Sequence, residues 1–258
     1  LMRIHYDVVG AGHPLVLVHG WGANARRNWV DLGWVEVLAP VRQLVLMDSR
    51  GHGRSQAARS QQDYGYAAMS QDVLRVMDDL GIAVADFFGY SMGAFMGAWL
   101  LGHHRDRFSS MVLGGIGDET AESAGVGRLI ASSLRAADLG DIVDPLGRAY
   151  RRYVDADPSN DRQALAMAAL QMWPEGYPLA LGGDGLALVD IPVLVVDGAD
   201  DHPYVDTAGR FVAAIPAAEL VTIEGADHHT VVGDPRFKAA VLDFLSRTGA
   251  WTPRPRDG

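Results

Sequence analysis

The sequence predicts a doubly wound α/β fold: a mostly parallel sheet of about eight strands, with a helical cap inserted late in the chain. Three observations carry this. Short, uniformly apolar runs recur along the chain, helical patterns separate most of them, and residues 118–187 hold helical segments without a convincing strand. A run that is apolar at every position suits a parallel strand buried on both faces. Strands that alternate with helices then give a sheet covered on both sides.

The apolar runs are 15–18, 44–47, 84–90, 111–113 and 193–196, each bounded by Gly, Pro or Asp. Residues 3–9 alternate more, as an antiparallel edge strand does, and 220–223 reads as a last strand. Met69, Val73, Val76, Met77 and Leu80 repeat at helical spacing, and Gly81 sits where a helix stops. The last helix opens on Asp234-Pro235, a cap followed by proline at the first helical position, and then turns Phe237, Val241, Phe244 and Leu245 to one side. In the helical stretch, Asp144-Pro145, Asp157-Pro158 and Trp173-Pro174 act as punctuation. An all-helical insertion between core strands would cover the carboxyl ends of the sheet, where open α/β folds bind ligands. The expected division is a core of 1–117 and 188–251, a cap of 118–187 and a frayed tail of 252–258.

The chain has 258 residues, 48% hydrophobic and 21% charged, which is an ordinary globular composition with enough length for a sizeable core. A formal net charge of −10 argues against a nucleic-acid surface, which needs clustered Lys and Arg. The absence of cysteine excludes disulfides, thiolate nucleophiles and Cys-ligated metals, and is compatible with a reducing compartment. Residues 1–7 show no basic-then-apolar leader, and no apolar run approaches a membrane span. The expectation is a cytoplasmic protein with a small-molecule substrate and no membrane, nucleic-acid, metal or cofactor partner. Oligomeric state is not readable.

The strongest chemical signal is Gly89-Tyr90-Ser91-Met92-Gly93, between an apolar run and a helical pattern. A serine in a sharp strand-to-helix turn needs strained backbone angles and neighbours without a Cβ, and glycines two residues on either side supply that. His19-Gly20-Trp21-Gly22 follows an apolar run directly, and Asp48-Ser49-Arg50-Gly51-His52-Gly53-Arg54-Ser55 follows another. In this order the three segments resemble the HG oxyanion loop, the D-x-R-G-H-G-x-S turn and the nucleophile elbow of the α/β-hydrolase superfamily. The resemblance covers nearly the whole chain. It implies that Ser91 is the nucleophile and that the backbone N–H groups of Trp21 and Met92 form an oxyanion hole.

A serine hydroxyl needs a base. Nine histidines compete. His19 and His52 lie in the turns just described, His5 and His13 near the edge strand, His103 and His104 late in the helix after the elbow, and His202 beside the expected acid. Gly225-Ala226-Asp227-His228-His229 remains, after the last strand. It resembles the superfamily's G-x-G-H loop with Asp227 in place of a small residue, which points to His228 and leaves His229 as the alternative. Adjacent histidines do not point at one metal. Asp197-Gly198-Ala199-Asp200-Asp201 resembles the acid loop and selects Asp201; Asp200 and Asp118 are the alternatives.

A serine at the elbow argues against relatives that use an aspartate nucleophile, and Tyr90 stands where carbon–carbon bond hydrolases commonly carry Asn. The implied activity is hydrolysis of a carboxylic ester, thioester or lactone through an acyl-enzyme. A lyase, a ligand receptor or a C–C bond hydrolase with the same triad is the alternative. Trp21, Tyr90, Met172 and Trp173 are candidate substrate contacts.

Overall fold

Alternation along each buried run decides which side of the sheet a residue serves. The computed structural model describes residues 2–118, 123–175 and 177–248. Its strands are β1 (Tyr6–Val9), β2 (Pro14–Val18), β3 (Gln43–Met47), β4 (Ala85–Tyr90), β5 (Phe108–Gly114), β6 (Val193–Gly198) and β7 (Ala218–Ile223). They form one sheet in the order β1-β3-β2-β4-β5-β6-β7. β1 runs antiparallel to β3, with Tyr6 opposite Met47 and Val9 opposite Leu44, and every other pairing is parallel. The described residues therefore hold seven strands, in line with the expected mostly parallel sheet of about eight. Each of the seven runs read from the sequence supplies one of them; ahead of β1 the carbonyls of Arg3 and His5 accept from the N–H groups of Gln56 and Asp48 (both 2.9 Å).

Two apolar layers follow from the period of two. Val16, Val18, Val45, Met47, Phe87, Met111, Leu113, Val193 and Val195 face one layer. Their neighbours Leu15, Leu17, Leu44, Leu46, Phe88, Val112, Leu194 and Val196 face the other. The first layer is covered by α2 (Tyr66–Asp79), α3 (Met92–His104) and α8 (Tyr204–Ala213), through Met69, Val73, Val76, Met96 and Phe211. The second is covered by α1 (Trp34–Leu38) and α9 (Pro235–Thr248). Phe88 lies within 4.7, 4.8 and 5.6 Å, ring to ring, of Trp29, Trp34 and Phe237. Truncating it to alanine would cost about 3–5 kcal/mol. Lys238, the only lysine in the chain, belongs to this side: its Nζ donates to the Leu32 carbonyl and lies 5.9 Å from the Trp34 ring centre.

Local signals set the ends of these helices. Gly81, after α2, adopts φ +68°, and the Asp234 carboxylate accepts the Arg236 N–H (2.7 Å) at the start of α9.

Between β5 and β6 the described residues contain no strand. They form α4 (Ser123–Arg135), α5 (Pro145–Asp155), α6 (Arg162–Glu175) and α7 (Pro178–Gly182). α4 packs on α5 and α6, and α7 packs on α3. Asp144 caps α5 by accepting from the N–H groups of Leu146 (2.8 Å) and Gly147 (3.1 Å). Pro174 does not interrupt the chain as expected: it lies inside the last turn of α6, where a missing N–H forfeits one helical bond only. The expected frayed tail, 252–258, lies outside the described residues. Among the described residues no helix is long and apolar enough to cross a membrane.

Candidate active site

Ser91 closes the turn from β4 into α3 with φ +50° and ψ −114°, the one non-glycine residue at positive φ among those described. Such a conformation costs on the order of 1–3 kcal/mol and persists only where the surroundings enforce it. Here the enforcement is steric. A Cβ on Gly89 would collide with the Gly93 carbonyl, and one on Gly93 with the carbonyl of Val18 on the neighbouring strand. The turn thus lifts the hydroxyl above the carboxyl edge of the sheet at the N-terminus of α3, where the helix dipole favours negative charge.

The loops after β6 and β7 meet at that hydroxyl. His228 Nε2 lies 3.0 Å from Ser91 Oγ. Its Nδ1 lies 2.8 and 3.0 Å from the two oxygens of Asp201, which is buried. A carboxylate only accepts, so Nδ1 carries the ring proton and Nε2 is free to take one from serine. His229 is turned edge-on to His228 and tilted against Tyr153. Asp227 is the reason. Its carboxylate accepts from the N–H groups of His229 (3.0 Å) and Thr230 (2.9 Å) and from the Thr230 hydroxyl (2.8 Å), and the Thr230 bond above all holds it below the usual carboxylate range. The residue that departs from the expected loop pattern therefore builds the turn that aims His228 inward.

The other candidate acids lie elsewhere. Asp200 is exposed, and its N–H donates to the Ala226 carbonyl (3.0 Å). Asp118 is buried against α7 and α8: one oxygen accepts from Leu179 N–H (3.4 Å), the other faces the Arg210 guanidinium at 3.5 Å, and Arg210 also donates to the Asp118 carbonyl.

Gly20 passes beside the serine, since a Cβ on it would stand 3.5 Å from that of Ser91. Ser49 N–H donates to His19 Nε2 (3.0 Å), which leaves the proton of the neutral ring on Nδ1, where it donates to the Gly20 carbonyl (2.8 Å). Burial lowers the His19 pKa and keeps the ring neutral. Because a peptide is planar and trans, a Gly20 carbonyl held this way turns the Trp21 N–H in the opposite direction. Gly20 N–H in turn donates to Asn28 Oδ1 (3.0 Å). Met92 N–H is the first of α3, where the helix itself offers no acceptor. Asp48 ties the neighbouring loops by accepting from Ala25 N–H and Arg54 N–H, both at 2.9 Å. His52, pushed down to about 3 by burial and then by His19, donates to the Arg50 carbonyl (3.0 Å). Both turn histidines thus donate to backbone carbonyls of their own loops.

The four candidate contact residues divide. Trp21 meets Tyr150 and Trp173 edge-on, at ring distances of 5.7 and 5.5 Å. Tyr90 does not point into open space: it is buried, and its hydroxyl donates to the His228 carbonyl. Met172 is buried in the larger apolar layer. Sequence reasoning passed over Asn28, Tyr204, whose ring lies 5.1 Å from that of His228, and Asp197. Asp197, at the end of β6, is fully buried; one oxygen accepts from Ile116 N–H (2.8 Å), and burial pushes its pKa up to about 8.

Residues 13–132 match the family described as alpha/beta hydrolase fold. The chain is 32% identical to the Caulobacter segnis protein named "Putative carbamate hydrolase RutD", over 94% of this chain and 96% of that one. It is 26% identical to 3-oxoadipate enol-lactonase 2 of Acinetobacter baylyi, over 79% of each chain. Among solved structures it resembles a hydrolase from Pseudomonas aeruginosa PA01, with a TM-score of 0.74, 27% identity and coverage of 95% of this chain and 94% of that one.

Proposed function

The chain belongs to the α/β-hydrolase fold family, and from that premise we propose that it is a serine hydrolase acting on a carboxylic ester, thioester or lactone of modest size. The observation that carries the reading is the unbroken hydrogen-bonded line from Ser91 through His228 to Asp201. Ser91 Oγ attacks the carbonyl carbon while its proton passes to His228 Nε2. The oxygen of the tetrahedral intermediate takes its charge beside the N–H groups of Trp21 and Met92. Asp201 holds the ring tautomer and stabilises the imidazolium. The bond to the leaving group then breaks, and His228 returns the proton to the departing alcohol or thiol. Water, deprotonated by the same nitrogen, releases the acid from Ser91.

Residues 118–187 form the cap in this reading, and 1–117 with 188–251 the core. Trp173 and Tyr150, which meet Trp21, place aromatic surface beside the site. The lactonase name of one relative supports including internal esters, and the carbamate hydrolase name of another fits attack at a carbonyl.

Fluorophosphonate labelling, followed by a screen of ester chain lengths, tests the proposal. Ser91→Ala should abolish labelling and lower turnover by roughly 10⁴-fold or more. Near-normal turnover by that variant would end the proposal.

A further inference from the structure

The oxyanion loop is gripped from two sides. The core side consists of His19 on the Gly20 carbonyl, Asn28 on the Gly20 N–H and Asp48 on the Ala25 N–H. The other side comes from the end of α5 and the loop after it. Asn160 Nδ2 donates to the Gly22 carbonyl (3.1 Å) and to the Val154 carbonyl (3.0 Å). Asn24 Nδ2 donates to the Asp157 carboxylate (2.7 Å) and lies 3.4 Å from the Ser159 hydroxyl. The Arg27 guanidinium stands 4.4 Å above the Tyr153 ring and donates to the Tyr153 carbonyl (3.3 Å). Gly22, at φ +71°, leaves room for that ring: a Cβ there would lie 2.9 Å from Tyr153. Trp21 sits between two residues that are tied down, Gly20 from the core and Gly22 from the other side.

We propose that Asn160 and the Asn24–Asp157 pair are positioning residues for the oxyanion hole, clamping residues 153–160 and the loop that carries the Trp21 N–H into one body. The proposal rests on the serine-hydrolase reading. Its physics is geometric. Gly20 fixes the front of the loop from the core, but the next internal bond is the 3.2 Å contact from Ala23 N–H to the Gly20 carbonyl. The Gly22 carbonyl is the back of the same turn, and Asn160 is what holds it. The Asn160 amide can be placed one way only, because a flipped amide would set its oxygen against two carbonyls. Asp157 is kept ionised for its part, held below the usual carboxylate range by Ser159 and Asn24. A donor that drifts by a fraction of an ångström still meets a ground-state carbonyl but loses the tetrahedral oxygen, so the loss should fall on the chemical step.

The test compares wild type with Asn160→Ala, Asn160→Asp and Asn24→Ala on a p-nitrophenyl ester, with fluorophosphonate labelling, thermal melts and inhibition by an aryl trifluoromethyl ketone, whose hemiketal oxygen mimics the intermediate. Removing a whole oxyanion donor costs about 10²–10³ in kcat, so a misplaced one should cost roughly 10–10² with KM changed about twofold or less. The inhibition constant should rise by the same factor as kcat/KM falls. Asn160→Asp, close in shape but without the donor, should be at least as impaired as Asn160→Ala, which a packing role would not require. If one variant melts too low to assay, the parallel between inhibition and turnover in the remaining ones decides. A wild type that labels and turns over, with variants that keep kcat or lose kcat/KM without weaker ketone binding, overturns the clamp and leaves the activity standing. A wild type that neither labels nor turns over any ester overturns both.

Discussion

Asp197→Asn should make the protein more stable, and the gain should grow as the pH rises. The carboxyl is fully buried at the end of β6, with one oxygen on Ile116 N–H. Burial, with Asp201 contributing, raises its pKa from an ordinary 3.8 to about 8. Between those values the folded chain keeps a proton that the unfolded chain has released. Stability tied to this group is therefore complete below about pH 4 and is lost as pH rises to about 8. The slope is about 1.4 kcal/mol per pH unit over an interval of roughly four units. Asparagine keeps the acceptor for Ile116 and does not titrate, so its advantage over aspartate should widen by about 3 kcal/mol between pH 5 and 7.5. For a chain of this size that is roughly 6–12 °C in melting temperature. Urea denaturation of both proteins at pH 5, 6, 7 and 8 measures it, and any fixed cost of the new amide cancels in the pH dependence. A difference between the two proteins that stays flat across that range would refute the argument.

The remaining expectations concern the site. His228→Ala should resemble the serine knockout, whereas His229→Ala keeps substantial activity; initial rates with melts distinguish them, and the reverse ranking would refute the assignment. Wild-type turnover should fall on acidification, because a protonated ring cannot accept the serine proton, and a flat profile in the chemical step would count against any histidine base. Asp201→Asn should lower turnover by on the order of 10⁴ with the fold intact, while Asp118→Asn lowers the melting temperature through its contacts to α7 and α8 and spares the rate. Tyr90→Phe removes the bond to the His228 carbonyl, worth about 1 kcal/mol, and should slow turnover several-fold without weakening substrate binding.

Much of the architecture was legible because burial leaves a periodic trace. The β2 run shows this: Val16 and Val18 serve one layer and Leu15 and Leu17 the other, so no polar residue interrupts it. The line joining Ser91, His228 and Asp201 was legible for another reason. Each residue closes a strand with a local glycine pattern, and parallel strands deliver such loops to one edge. What the sequence concealed depends on partners far apart in the chain. Asn24 and Asp157 are separated by 133 residues, and no spacing rule relates a loop after β2 to the end of α5. Tyr90 misled because the residue before an elbow serine is a reasonable pocket wall until the His228 carbonyl is seen to occupy its hydroxyl. Pro174 misled because a breaker signal carries no information on how little of the helix remains to be broken.

The single lysine has a practical consequence. A protein that acted on esters as proposed would work among reactive acyl groups, and the amine side chain most open to stray acylation is lysine. Here that side chain is one residue, with its ammonium engaged on the Leu32 carbonyl beside Trp34, while the other basic side chains of this type are guanidinium groups that resist acylation. Amine-reactive dyes, resins and cross-linkers would thus find one lysine anchor, on the α9 face of the molecule. Coupling through it would modify the contact between α9 and the loop before α1 and would leave the loops around Ser91 chemically untouched.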